Sequence, residues 1–261
     1  MRPFELTESK AWFPELPAQF RSDYRLGNYA SDRITRVMWK YLMRPRNCER
    51  SWLRLHQHMP ELLSGPPKDI LELSTAHGSL LEILRWGGHR VTGTDCAWAV
   101  DGSTAQVKPP RRHWHFRLLE RLRSVRHDHP MAESVQGWPY QPLIESLGLG
   151  VTLHDGGSIP YPFADKSQDY VICYQALEAY APPERWVDIV DEMCRIARHA
   201  VVIGFNPLPL GMRSDGGTYR RFRDGWQRLM AYDRIGFQTR AFLVGKTRAG
   251  HHPTLCKLIA T

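Results

Sequence analysis

The stretch from Asp69 to Asp95 constrains the fold of this chain more than any other. Asp69-Ile70-Leu71-Glu72-Leu73 is a short apolar run, preceded by Pro66-Pro67 and followed by the small-residue segment Ser74 to Gly78. Leu80, Leu81, Ile83 and Leu84 then recur at helical spacing until Gly87-Gly88 stops them. Arg90-Val91-Thr92-Gly93-Thr94-Asp95 reads as a second strand that ends on a carboxylate. Strand, tight loop, helix and strand make a βαβ unit, and such units almost always form right-handed parallel crossovers.

The alternation continues downstream. The spacing predicts a helix over 139–147, a third strand over 151–154 and a fourth over 169–173. An amphipathic helix follows over 184–197, with Trp186, Ile189, Val190, Met193 and Ile196 on one face. A fifth strand over 200–205 and a helix over 219–232 come next. Strands over 237–244 and 254–260, joined by a turn at 246–253, are expected to pair antiparallel. An α/β fold with an open, doubly wound, mostly parallel seven-stranded sheet follows. Upstream, residues 1–20 read as an extended lead-in, and helices are predicted over 31–41 and 48–63. Ser64-Gly65-Pro66-Pro67 marks a boundary. This divides the chain into a helical extension, 1–64, and a main domain, 65–261, whose residues 97–138 form an insertion after the second strand.

Composition narrows the class. Apolar runs such as Ala200-Val201-Val202-Ile203 fall far short of the roughly 20 residues that span a bilayer. Met1-Arg2-Pro3-Phe4-Glu5 carries no apolar signal core, and the five cysteines are scattered, so a cytoplasmic location is expected. The formal net charge of +8 is uneven. Segments 1–64, 97–138 and 205–261 are all net basic, and the remainder is net acidic. A basic surface attracts phosphates, nucleic acid or anionic lipid. Within the insertion, His113/His115 and His127/His129 form two H-x-H pairs. Neighbouring arginines and the lack of a carboxylate or thiolate cluster argue against a metal site there. Phe116, Leu119 and Leu122 suggest a basic amphipathic helix instead.

A dinucleotide fingerprint would need glycines at 74, 76 and 79, where Ser74, Ala76 and Ser79 stand, and no phosphate-binding Gly-Lys-Ser/Thr occurs. The order of landmarks instead resembles the class I S-adenosylmethionine-dependent methyltransferases, with their Rossmann-like sheet. Their first motif, acidic-x-Gly-x-Gly-x-Gly, aligns with Glu72-Leu73-Ser74-Thr75-Ala76-His77-Gly78, and their carboxylate ending strand two with Asp95. Their later Gly-Asp-Ala-x-x-Leu-Pro-Phe-Pro-Asp-x-Ser-Phe-Asp-x-Val segment aligns with the stretch from His154 to Val171, with two extra residues before Asp165, and Ala176-Leu177-Glu178-Ala179 with their Leu-Glu-His. Ser74 and Ala76 replace two glycines, and Ala179 replaces the histidine.

The resemblance implies S-adenosyl-L-methionine as cofactor, held by Glu72, Ser74, Ala76, His77, Gly78, Asp95, Cys96, Asp155, Gly156, Cys173 and Gln175. Asp95 would take the ribose hydroxyls and Asp155 the adenine amino group. The loop with Gly78 would be small so that the cofactor approaches its backbone, and the chain at Cys173–Gln175 would line the opposite wall. No catalytic residue or general base is assigned; Tyr174, Gln175 and Glu178 stand on the acceptor side by position alone. The expected activity is methyl transfer to a small-molecule or glycan acceptor, because the N-terminal helices and the insertion read as lids. An RNA methyltransferase, resting on the basic segments, and a non-catalytic binding or scaffold protein are the alternatives.

Overall fold

Strand β1 (Asp69–Leu73) pairs in parallel with β2 (Arg90–Asp95) and with β4 (Gln168–Tyr174). β2 carries β3 (Val151–Leu153), and β4 carries β5 (Ala197–Gly204), both parallel. Beyond β5 the sheet continues through antiparallel β8 (Gly250–Ala260), β7 (Phe237–Thr247) and β6 (Asp233–Arg234), giving the order β3-β2-β1-β4-β5-β8-β7-β6. The computed structural model describes residues 13–26, 41–96, 138, 140–207, 215–247 and 250–261. The helix expected over 31–41 and the insertion over 97–138, apart from Trp138, lie outside them, as do both H-x-H pairs.

The seven strands read from the pattern are present, and the doubly wound Rossmann-like sheet with them. An eighth, β6, is two residues long, too short to show a period. It turns back through Ile235 and Gly236, both at positive φ (50° and 71°), the geometry of a tight hairpin turn. The expected turn over 246–253 is shorter than predicted, because the β7–β8 ladder runs on to Thr247 opposite Gly250.

The helices are α1 (Arg44–His58), α2 (Ser79–Trp86), α3 (Gln141–Leu147), α4 (Leu177–Tyr180), α5 (Trp186–Ile196) and α6 (Gly216–Met230). Alternate strand residues face opposite sides, as the period of two requires. Leu71, Leu73, Val171, Cys173, Val201 and Ile203 pack on α5 and α6. Ile70, Ile172, Ala200 and Val202 pack on α2, on Cys48, Trp52 and Leu55 of α1 and on Met59 just beyond it. Residues of the N-terminal extension therefore share one core with the sheet.

Arg44 joins the layers on that side. Its guanidinium holds both oxygens of Glu82 on α2 and reaches the carbonyls of Gln19 (3.2 Å) and Ser22 (2.7 Å) in the lead-in. Both partners of the ion pair are nearly buried, with 8% and 12% of their side chains exposed. Removing one partner strands the other charge. Arg44→Ala should cost about 3–5 kcal/mol, read as a lowered urea midpoint. An unchanged midpoint would mean that this pair does not fasten α1.

Candidate functional site

The chain order reverses between β1 and β4, so the connections leaving their carboxyl ends go to opposite faces and open a crevice. The turn after β1 is unusual. Ser74 (φ 55°), Ala76 (φ 49°) and Gly78 (φ 71°) are all left-handed, alternating with Thr75 and His77. Two of the three carry a Cβ, and each such residue costs roughly 1–2 kcal/mol. Neighbouring bonds hold the turn. Thr75 N–H donates to the Thr94 carbonyl (2.9 Å), and Ala76 N–H donates to Asp95 Oδ2 (3.1 Å). Gln175, at the end of β4, is left-handed too (φ 58°). Backbone strain therefore gathers on both rims of the crevice, as it does at functional sites.

Two acidic groups lie beneath the turn. Glu72 is only 7% exposed, and its Oε2 has no hydrogen-bond partner. Burial pushes its carboxyl up to about 8, against the pull of the Arg54 guanidinium. Asp95 accepts from Cys96 N–H (2.8 Å) on Oδ1, and from Ala76 N–H and the Trp138 indole N–H (3.0 Å) on Oδ2. Burial raises its carboxyl to about 6, opposed by those donors.

The structure sorts the remaining sequence-derived residues. Ser74 shares a 2.6 Å bond with the Tyr180 hydroxyl, and the Tyr180 ring covers Gly156 so closely that any side chain there would collide with it. Tyr180 thus bridges the turn after β1 and the turn after β3. Asp155 is exposed and accepts from Gly157 N–H (2.9 Å). His77 accepts from Ser79 N–H on Nδ1 (3.2 Å), and its ring lies against Tyr41. Cys96 is half-buried beside Asp95.

Two expectations need correction. A Cβ on Gly78 would lie 2.7 Å from Ile144 Cδ1 and 2.8 Å from Leu149 Cδ1. Its left-handed φ and its packing against α3 already require a glycine at 78. The Cys173 side chain is fully buried in the α5–α6 core, which pushes its thiol up to about 12. Its side chain faces that core.

Sequence reasoning missed the roof. From α1, Arg54 Nη2 donates to Gln175 Oε1 (2.7 Å), and its guanidinium lies 4.7 Å above the Tyr174 ring. His58 Nδ1 meets the Tyr174 hydroxyl at 2.7 Å, and Lys257 of β8 donates to the His58 carbonyl at 2.9 Å. Burial, with help from Arg54 and Lys257, pushes the His58 imidazole down to about 4. Glu178 Oε1 accepts from Asn206 N–H at 2.6 Å. Among the described residues no cluster of three His, Cys, Asp or Glu could hold a metal ion, and no helix is long and apolar enough to cross a membrane.

No protein-family model matches the chain, and no curated protein matches its sequence. Solved structures with similar folds include magnesium protoporphyrin IX methyltransferase from Synechocystis PCC 6803 with bound SAM. It is 13% identical over 90% of this chain and 92% of that one, with a TM-score of 0.45. A SAM-dependent methyltransferase from Methanosarcina mazei is 15% identical over 77% of this chain and 95% of that one, at 0.44. The tRNA (uracil-54, C5)-methyltransferase of Pyrococcus abyssi is 12% identical over 83% of this chain and 39% of that one, at 0.38.

Two consequences of the turn can be measured. Glu72 keeps its proton to about 8 when folded, whereas an unfolded glutamate loses it near 4.3. Its contribution to stability is full below the unfolded value and is lost as pH rises to about 8. The melting temperature should fall across that window, and Glu72→Gln should flatten the fall. Ala76→Gly should relieve left-handed strain and stabilise by up to about 1 kcal/mol, seen as a higher urea midpoint. A lower midpoint would show that the φ at Ala76 is not strained.

Proposed function

We propose that this chain is an S-adenosyl-L-methionine-dependent methyltransferase acting on a small-molecule or glycan acceptor. The observation that supports this best is the left-handed turn at Ser74, Ala76 and Gly78, set between the buried Glu72 carboxyl, whose Oε2 has no partner, and Asp95 at the end of β2. The family pattern has glycine at these three positions, and the backbone keeps the glycine-like conformation even where serine and alanine replace it.

The residues fit the cofactor. Its ribose hydroxyls are donors that suit the Asp95 carboxylate, and its positively charged end suits a buried acid such as Glu72. When bound, S-adenosyl-L-methionine supplies an electrophilic sulfonium methyl group. This chain's part is to hold the two reactants in line and to keep water out. Arg54 and His58 of α1, bonded to Gln175 and Tyr174 at the end of β4, serve the second. A roofed crevice favours an acceptor small enough to enter it. On the acceptor side, the Tyr174 hydroxyl is hydrogen-bonded to His58 and Glu178 accepts from Asn206 N–H.

Calorimetric titration with S-adenosylhomocysteine tests the reading. Wild type should bind, and Asp95→Ala, losing charge-assisted hydrogen bonds of about 1.5–3 kcal/mol each, should bind at least about tenfold more weakly. No binding by wild type would overturn the proposal and leave a non-catalytic binding protein. Short RNA titrated at two salt concentrations should show weak binding and a shallow salt slope. A steep slope would replace the small acceptor with nucleic acid.

A further inference from the structure

We propose that Arg54 of α1 and the side-chain amide of Gln175, with Arg50 one turn earlier on the helix, form an anion receptor on the acceptor side of the crevice, and that the methyl acceptor is a small molecule bearing a carboxylate or a phosphate. The inference rests on the methyltransferase reading above and narrows its substrate class. Arg54 is half-buried, and one of its five N–H groups is used, by Nη2 on Gln175 Oε1 (2.7 Å). Among the described residues no carboxylate lies within ion-pair distance of it. Glu72 acts on it through space, but Glu72 keeps its own proton to about 8 and leaves the guanidinium charge unmatched at neutral pH. A charge taken partly out of water without a counter-charge is costly, and a bound anion removes that cost. An oxygen gripped by a guanidinium is a poor nucleophile, so the group held here anchors the acceptor and is not the atom methylated.

Gln175 completes the receptor. A guanidinium only donates, so the amide atom that meets Arg54 is the carbonyl oxygen, and Nε2 is turned away from it as a second donor. Nε2 has no partner among the described residues, and the side chain is exposed on the rim. The planar fork and the amide N–H suit the paired oxygens of a carboxylate or phosphate. Both donors are held. The guanidinium rests on the Tyr174 ring, whose hydroxyl is bonded to His58. The Gln175 backbone donates to the Gly204 carbonyl (2.7 Å) and accepts from Asn206 Nδ2 (2.8 Å). These bonds keep Gln175 at a φ of 58°, a conformation that disfavours any residue with a Cβ and that gathers at ligand-binding positions. Tyr174, His58 and Asn206 are thus positioning residues. Arg46, Arg50 and Arg54 follow at intervals of four on α1, and none of the three has an ion-pair partner among the described residues. Like charges at that spacing repel and weaken a helix. The row therefore serves something outside the helix, and it draws anions to the rim. Only Arg54 bonds to the rim, which fits one anionic group on a small acceptor.

The test uses the full chain saturated with S-adenosylhomocysteine and titrates three matched probes by ligand-detected NMR: benzoate, phenyl phosphate and the neutral benzamide. Wild type should bind one or both anions at least about tenfold more tightly than benzamide, and the tighter of the two tells a carboxylate acceptor from a phosphate one. Arg54→Gln should abolish that preference and Arg54→Lys should keep part of it. Gln175→Asn, with its shorter amide, should reduce it. Calorimetry should find the affinity of both Arg54 variants for S-adenosylhomocysteine within about twofold of wild type, which also reports that they are folded. Equal binding of anions and benzamide by wild type, or a preference that survives Arg54→Gln, would overturn the receptor while the cofactor reading stands. A loss of about tenfold in S-adenosylhomocysteine affinity in Arg54→Gln would also overturn it, by giving the arginine to the cofactor. Submicromolar binding of short RNA at physiological salt, lost in the double variant Arg46→Ala and Arg50→Ala, would overturn it in favour of a nucleic-acid acceptor. Failure of wild type to bind S-adenosylhomocysteine would overturn the cofactor reading and the acceptor assignment with it.

Discussion

Two hydrogen bonds sew the turn after β1 to the end of β2, and the crevice depends on them. Thr75 N–H is held by the Thr94 carbonyl and Ala76 N–H by the Asp95 carboxyl. A bond to a charged group contributes about 1.5–3 kcal/mol and a neutral one about 1. The left-handed conformations at Ser74 and Ala76 cost roughly 1–2 kcal/mol each. The terms are of one size, so the turn keeps its shape only while β2 ends on an acceptor at this register. That register, Leu73 opposite Thr94, comes from the parallel ladder. Pairing of two strands thus fixes a backbone conformation that the local sequence would not choose.

The roof shows a second constraint. Along α1 and just beyond it, Cys48, Trp52, Leu55 and Met59 form an apolar stripe, and Asn47, Ser51, Arg54 and His58 repeat the same spacing one residue behind. Both stripes are turned inward. The first packs on the sheet; the second supplies Asn47 to the Tyr24 hydroxyl and the Tyr41 carbonyl, and Arg54 and His58 to the rim of β4. A helix buried on a polar face needs a partner for every donor, and here the partners come from several parts of the chain.

This explains what could be read from the sequence. The strands were legible because buried parallel strands are short runs of Ile, Leu and Val with turn residues at each end. Glu72 and Asp95 stood out in the sequence as carboxylates at the carboxyl ends of strand-like runs. β5 begins at Ala197 rather than Ala200 because Arg198 and His199 look like loop residues. Arg198 lies within β5 at a shift in its register with β4 and ion-pairs with Asp69 and Asp169. Arg54 was hidden because an arginine beside an apolar stripe normally reads as solvated. Its signal was the doubled stripe, which only a helix covered on two sides would carry. Tyr180 sits on a single turn of helix too short to have a period, and its partners are Ser74 and Gly156, far away in the chain.

The place of β8 has a consequence for synthesis. It is the last of the eight strands in sequence, yet it lies between β5 and β7, and its Lys257 reaches back to the His58 carbonyl and Glu61. During vectorial translation β1 to β5 emerge with the β5 edge uncovered, and the roof lacks this fastening until β8 arrives. Pairings of such long sequence separation form slowly. An unpaired edge is also a template for aggregation. The interval between the emergence of β5 and of β8 is therefore the one in which a nascent chain most needs shielding.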